Sequence, residues 1–86
     1  MANITLDIAN TGEQVPVNDV NLDSVTNTEL ITNAVSAGIV PSLGADMEYK
    51  MVGKTNMPIT ETATLSSLGF VDGDTIKVVA KPKGAN

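Results

Sequence analysis

Asp72 and Asp74 stand on either side of Gly73, a spacing of carboxylates that resembles the start of a calcium loop. The further ligands and the closing Glu of that motif do not follow, so the triplet is read as a tight turn. Ser66, Ser67 and many threonines carry hydroxyls, yet no His or Lys stands at a motif spacing that would activate one. With neither Cys nor His in the chain, thiol chemistry, disulfides, Cys/His zinc sites and the commonest general base are all removed together. The expectation is a protein that is not an enzyme, holds no metal and uses no cofactor. Met47, Met51 and Met57 suit an adaptable binding surface, or simply fill gaps in a core that has one Phe, one Tyr and no Trp to draw on.

The cations are five lysines, Lys50, Lys54, Lys77, Lys81 and Lys83, with no Arg. The acids from Asp7 to Glu48 all precede them, so a net charge of -5 hides an acidic first half and a mildly basic second. That balance argues against a nucleic-acid partner, whose affinity would come from basic groups neutralising phosphates. No apolar run approaches the roughly 20 residues that span a bilayer, and the amino terminus enters a strand pattern without a basic segment and apolar stretch. A cytoplasmic monomer with no membrane partner is expected. Asn3-Ile4-Thr5 meets the glycosylation pattern, but it falls inside that strand.

A length of 86 residues allows one domain with a small core, which 42% hydrophobic residues must build from aliphatics. Ile4, Leu6 and Ile8 alternate with polar residues as a half-buried strand does, and after a turn at Asn10-Thr11-Gly12 the pattern resumes at Val15 and Val17. Pro16 confines that second strand to an edge. Thr26 with Glu29 forms a capping box, with Val25 placed to staple onto Leu30. The helix then starts near Asn27, presents Leu30, Ile31, Ala34 and Val35 as one stripe, and ends at Gly38. Met47, Tyr49 and Met51 mark a third strand, stopped at Gly53. Met57-Pro58-Ile59 suggests a short edge strand, and Leu65, Leu68, Phe70 and Val71 an inward-packing helical turn. Thr75 to Ala80 is the last strand, after which Pro82 is expected to stop the ladder and leave a loose tail. The order is that of an α+β domain with one helix across a sheet.

Several stretches of this chain resemble ubiquitin. Gly38-Ile39-Val40-Pro41 is similar to the Gly-Ile-Pro-Pro after the ubiquitin helix, Gly53-Lys54 to its Gly-Lys after the third strand, and Thr64-Leu65-Ser66 matches its Thr-Leu-Ser. From there to Thr75 the two align without a gap; only the loop between Lys54 and Thr64 is longer. The resemblance covers nearly the whole chain and implies a ubiquitin-like β-grasp fold, a mixed four- to five-stranded sheet wrapped on one helix. The domain would span residues 1–80, with 81–86 as a flexible tail.

The same alignment lays Lys81-Pro82-Lys83-Gly84-Ala85 on ubiquitin's terminal Arg-Leu-Arg-Gly-Gly, with Asn86 beyond it. It implies a prokaryotic-type modifier, processed by a protease near Gly84 or Ala85 and joined to target proteins through its new carboxylate by activating and conjugating enzymes. Ala85 in place of the final Gly departs from that pattern and removes the Gly-Gly that sulfur carriers of this fold require. The alternative is a non-conjugated interaction module similar to the small ubiquitin-like proteins of type VII-like secretion systems, which share the Asp-Gly-Asp turn. The face by which ubiquitin is recognised becomes Lys50, Lys77 and Val79 here, with Asn10 and Thr11 in the neighbouring loop. It is polar where ubiquitin's is apolar, so ordinary ubiquitin receptors fit poorly. Lys54 aligns with a chain-forming Lys of ubiquitin and is the candidate acceptor lysine.

Overall fold

A computed structural model of the chain describes residues 1–83. The first hairpin joins β1 (Ala2–Ile8) to β2 (Glu13–Val20), and the alternation of Ile4, Leu6 and Ile8 puts all three on the buried face. Its register slips by one residue between Ala2 and Ile4, where Asp19 takes a φ of 60° and gives its backbone N–H to the Asn3 side chain. A bulge of this kind twists the edge of a sheet. Pro16 lies on that edge, as its missing donor requires.

Helix α1 (Asn27–Ser36) begins where Thr26 Oγ1 accepts the Glu29 N–H at 3.1 Å. This is the forward half of the capping box; among the described residues Glu29 makes no return bond. Asn27, the first helical residue, is buried, because its side chain is bound to the long loop before Thr64. Its Nδ2 donates to the Glu61 carbonyl and its Oδ1 accepts the Ala63 N–H, both at 3.1 Å. The helix closes in a paired cap, with Gly38 N–H on Val35 C=O and Ile39 N–H on Ala34 C=O. Gly38 takes a φ of +74° there, a conformation that side chains disfavour.

Strands β3 (Met47–Val52) and β4 (Thr75–Pro82) complete a four-stranded sheet of order β2-β1-β4-β3. The chain's first and last strands are parallel neighbours at its centre, with Leu6 opposite Ile76 and Ile8 opposite Val78. Those four side chains, with Ile4, Met51, Leu65, Leu30 and Phe70, form the core beneath α1. Tyr49 is buried in the same layer and gives its hydroxyl proton to the Pro41 carbonyl at 2.7 Å, tying the loop after the helix to the sheet.

Three expectations are corrected. The Met57-Pro58-Ile59 segment makes one bridge, Val52 to Pro58, and no strand, since Gly53 and Met51 hold it by single bonds to Met57 and Ile59. Val71 is 56% exposed and takes no part in the inward-packed turn. The last strand does not end at Ala80: Lys81 pairs with Glu48 and Pro82 with Met47. Pro82 fits because even-numbered residues of β4 aim their backbone groups toward β1, and β1 has already ended at that height; no acceptor misses the absent N–H.

These contacts rank the cost of substitutions. Leu30→Ala and Phe70→Ala should each destabilise by about 2–5 kcal/mol through lost burial and a cavity. Asn27→Ala, which strands a part-buried carbonyl and N–H, should cost about 1–3 kcal/mol. Thr26→Ala should cost about 1 kcal/mol as a lost cap. Urea denaturation of the four variants measures this order; an Asn27→Ala variant as stable as the parent would mean the loop is not held by that amide.

Candidate functional site

Alternation along β3 and β4 sends Glu48, Lys50 and Val52, and Thr75, Lys77, Val79 and Lys81, to the face of the sheet away from the helix. The register makes Lys50 a direct neighbour of Val79, and Lys77 the neighbour of Val52 on one side and Asp7 on the other. Lys50, Lys77 and Val79 are thereby brought together on one surface. Lys50 Nζ lies 2.8 Å from Glu48 Oε1, two residues along its own strand. The hydrogen bond from Lys50 is the main cause that holds the Glu48 carboxyl below its ordinary 4.5, with the charges of Lys50 and Lys83 acting the same way. Neither Lys77 nor Lys81 makes an ion pair among the described residues, and Lys77, the more exposed of the two, is the open cation beside Val79. At the hairpin tip, Thr11 Oγ1 accepts the Glu13 N–H at 3.3 Å.

The basic arm is divided. Lys81 belongs to β4, half-buried opposite Glu48, and the Lys83 N–H reaches the Asp46 carbonyl at 2.7 Å. Gly84 and Ala85, the remaining residues of the expected conjugation tail, lie outside the described residues.

Lys54 sits at the far end of the domain, with its Nζ 2.8 Å from Asp74 Oδ2 and its side chain 47% exposed. To accept another chain it would have to leave that pair. Asp74 also accepts the Val71 N–H at 2.9 Å, while Asp72 accepts the Asn3 N–H at 2.7 Å. Asp72 thus fastens the turn to β1 while Asp74 closes the turn on itself and ties it to Lys54, and Gly73, at a φ of +88°, gives its N–H to the Asn3 carbonyl. Sequence reasoning found the turn but not these partners, which stand 69 residues apart in the Asn3–Asp72 case. It also passed over Asn27, whose only signal was an amide side chain at a position that should face the core.

The Asp74 carboxyl is held below its ordinary 3.8, first by the hydrogen bond from Lys54 and then by the Val71 N–H. A depressed folded value means a contribution to stability that is complete above 3.8 and disappears as pH falls through the folded value. Asp74→Asn should therefore flatten the acid limb of a stability–pH profile, and Lys54→Met should move the Asp74 titration upward. Carbon-detected NMR titration reads both; an Asp74 carboxyl that titrates alike in the parent and in Lys54→Met would contradict the pair.

No protein-family model matches the chain, and no curated protein matches it in sequence. Among solved structures it is similar to the UBL domain of Plasmodium falciparum Dsk2, with a TM-score of 0.70 and 18% identity, over 93% of this chain and 97% of that one. At that identity the likeness bears on architecture, and it agrees with the parallel pairing of first and last strands across one helix. The chain has the ubiquitin-like β-grasp fold.

Proposed function

We propose that the protein is a non-enzymatic ubiquitin-like module recognised by partner proteins through the outer face of its sheet. One observation carries this reading: Lys77 and Lys50 flank Val79 on a single surface, with the Lys77 ammonium left without an ion pair among the described residues. An apolar receptor pocket would have to desolvate those cations, whereas an acidic partner surface compensates them and speeds encounter. Acidic protein surfaces are the partner chemistry this face fits.

Within that reading the module acts either as a covalent modifier or without conjugation. Supporting the first is the Lys81-Pro82-Lys83-Gly84-Ala85 pattern, whose small residues suit passage of a carboxylate into activating and conjugating enzymes after a protease has acted near Gly84 or Ala85. Counting toward the second, an adaptor such as those of type VII-like secretion systems, is the pairing of Lys81 and Pro82 within β4, which takes the first two residues of the expected arm into the sheet.

Mass spectrometry of host extracts carrying an amino-terminally tagged copy separates the two. Trypsin cutting after Lys83 leaves a Gly or Gly-Ala remnant on a target side chain if the protein is conjugated. Intact, unmodified chain under several growth conditions assigns it to the non-covalent class. In either class Lys77→Gln should leave the urea midpoint unchanged and weaken co-purification of partners; retained binding would remove this face from the reading.

A further inference from the structure

The two edges of the sheet are treated differently. β2 is protected by Pro16, by the Asp19 bulge and by exposed polar residues, the usual means of preventing strand-to-strand association. β3 has no Pro and no bulge in its ladder with β4, and among the described residues no strand pairs with the middle of its outer edge, which forms the floor of a groove where Tyr49 is 8% and Met51 1% exposed. Odd-numbered residues aim their backbone groups outward there: Met47 N–H bonds to Gly44 C=O, Met51 C=O to Ile59 N–H and Gly53 N–H to Met57 C=O, while Asp46 C=O points the other way to Lys83. Between them, the Met47 carbonyl, both backbone groups of Tyr49 and the Met51 N–H have no partner among the described residues. The helix borders this edge with neutral side chains, Thr28, Ile31 and Thr32.

We propose that two copies of this chain pair antiparallel through β3, centred on Tyr49, to form one continuous eight-stranded sheet. The hydrogen bonds select the antiparallel register. Centring on Tyr49 gives reciprocal bonds between the two Tyr49 residues, and a bond from each Met51 N–H to the Met47 carbonyl of the second copy. The groups left over in that register, Met47 N–H and Met51 C=O, would be each other's partners, and both are already satisfied by loops of their own chain.

Charge selects the same register. Centred on Tyr49, each Glu48 stands opposite Lys50 of the second copy, so that the existing Lys50–Glu48 pair becomes part of an alternating square of four charges. Moving one step of the ladder either way would oppose Glu48 to Glu48 or Lys50 to Lys50. The two-fold arrangement also brings the groove end lined by Glu61 to the end lined by Lys83 of the second copy. The protein would then not be the monomer expected from sequence.

The test is sedimentation equilibrium of the full chain over several decades of concentration, with amide shifts followed by NMR. The expected result is a concentration-dependent dimer whose shifting amides cluster from Met47 to Met51. Glu48→Lys and Lys50→Glu should each weaken self-association at least about tenfold, because each turns both cross-strand pairs repulsive. Mixing the two variants should restore a dimer, since one copy then carries two cations and the other two carboxylates. A monomer at every concentration would overturn the proposal. So would a dimer indifferent to both charge inversions, or one whose shifts map to β2.

Discussion

Everything in this domain is referred to the parallel pairing of β1 with β4. The strand that opens the chain and the strand that closes it lie side by side at the centre of the sheet, with Leu6, Ile8, Ile76 and Val78 almost wholly withdrawn from water. A parallel pair needs a long crossover, and here the crossover contains β2, the helix, β3 and both long loops. All of these hang on a contact whose partners are about seventy residues apart in sequence. The Asp72-Gly73-Asp74 turn strengthens it by bonding directly to Asn3 at the start of β1. Removing that pairing would leave a hairpin, a short helix and an edge strand with no shared core.

Given that centre, the division of labour between the faces follows from alternation. Even positions of β4 go beneath the helix and odd positions face outward, which is why Ile76 and Val78 are core while Lys77 and Val79 are surface. The same parity decides which backbone groups of β3 reach β4 and which remain at the edge. Two side chains hold the irregular segments against this frame: Asn27 secures the loop before Thr64, and Tyr49 the loop after the helix. Both use hydrogen bonds because these loops offer backbone groups that burial would otherwise leave unsatisfied.

Much of the fold was legible because its signals are local and periodic. The alternation of Ile4, Leu6 and Ile8, the Thr26 cap and the left-handed Gly38 depend on neighbours a few residues away, and each stands where the pattern put it. The end of β4 was misplaced because Pro82 was judged by the donor it lacks, without knowledge of which neighbour would need that donor. Val71 carried an apolar side chain in an apolar run, and only the tertiary turn at Asp72 swings it to solvent. In the candidate site, the grouping of Lys50, Lys77 and Val79 could be read from aligned strand positions. Their ion pairs could not, because Lys50–Glu48 and Lys54–Asp74 depend on side-chain placement and, for the second, on a contact across twenty residues of sequence.

The most direct test of this account is native-state hydrogen exchange at the amides that join β1 to β4, above all Thr5, bonded to Asp74 C=O at 3.0 Å, and Ala9, bonded to Val78 C=O at 2.9 Å. If the central pair holds the domain together, both amides exchange only through global unfolding, with the free energy obtained from urea denaturation. Exchange of Thr5 and Ala9 through a cheaper opening, while amides of the β1–β2 hairpin remain protected, would contradict it.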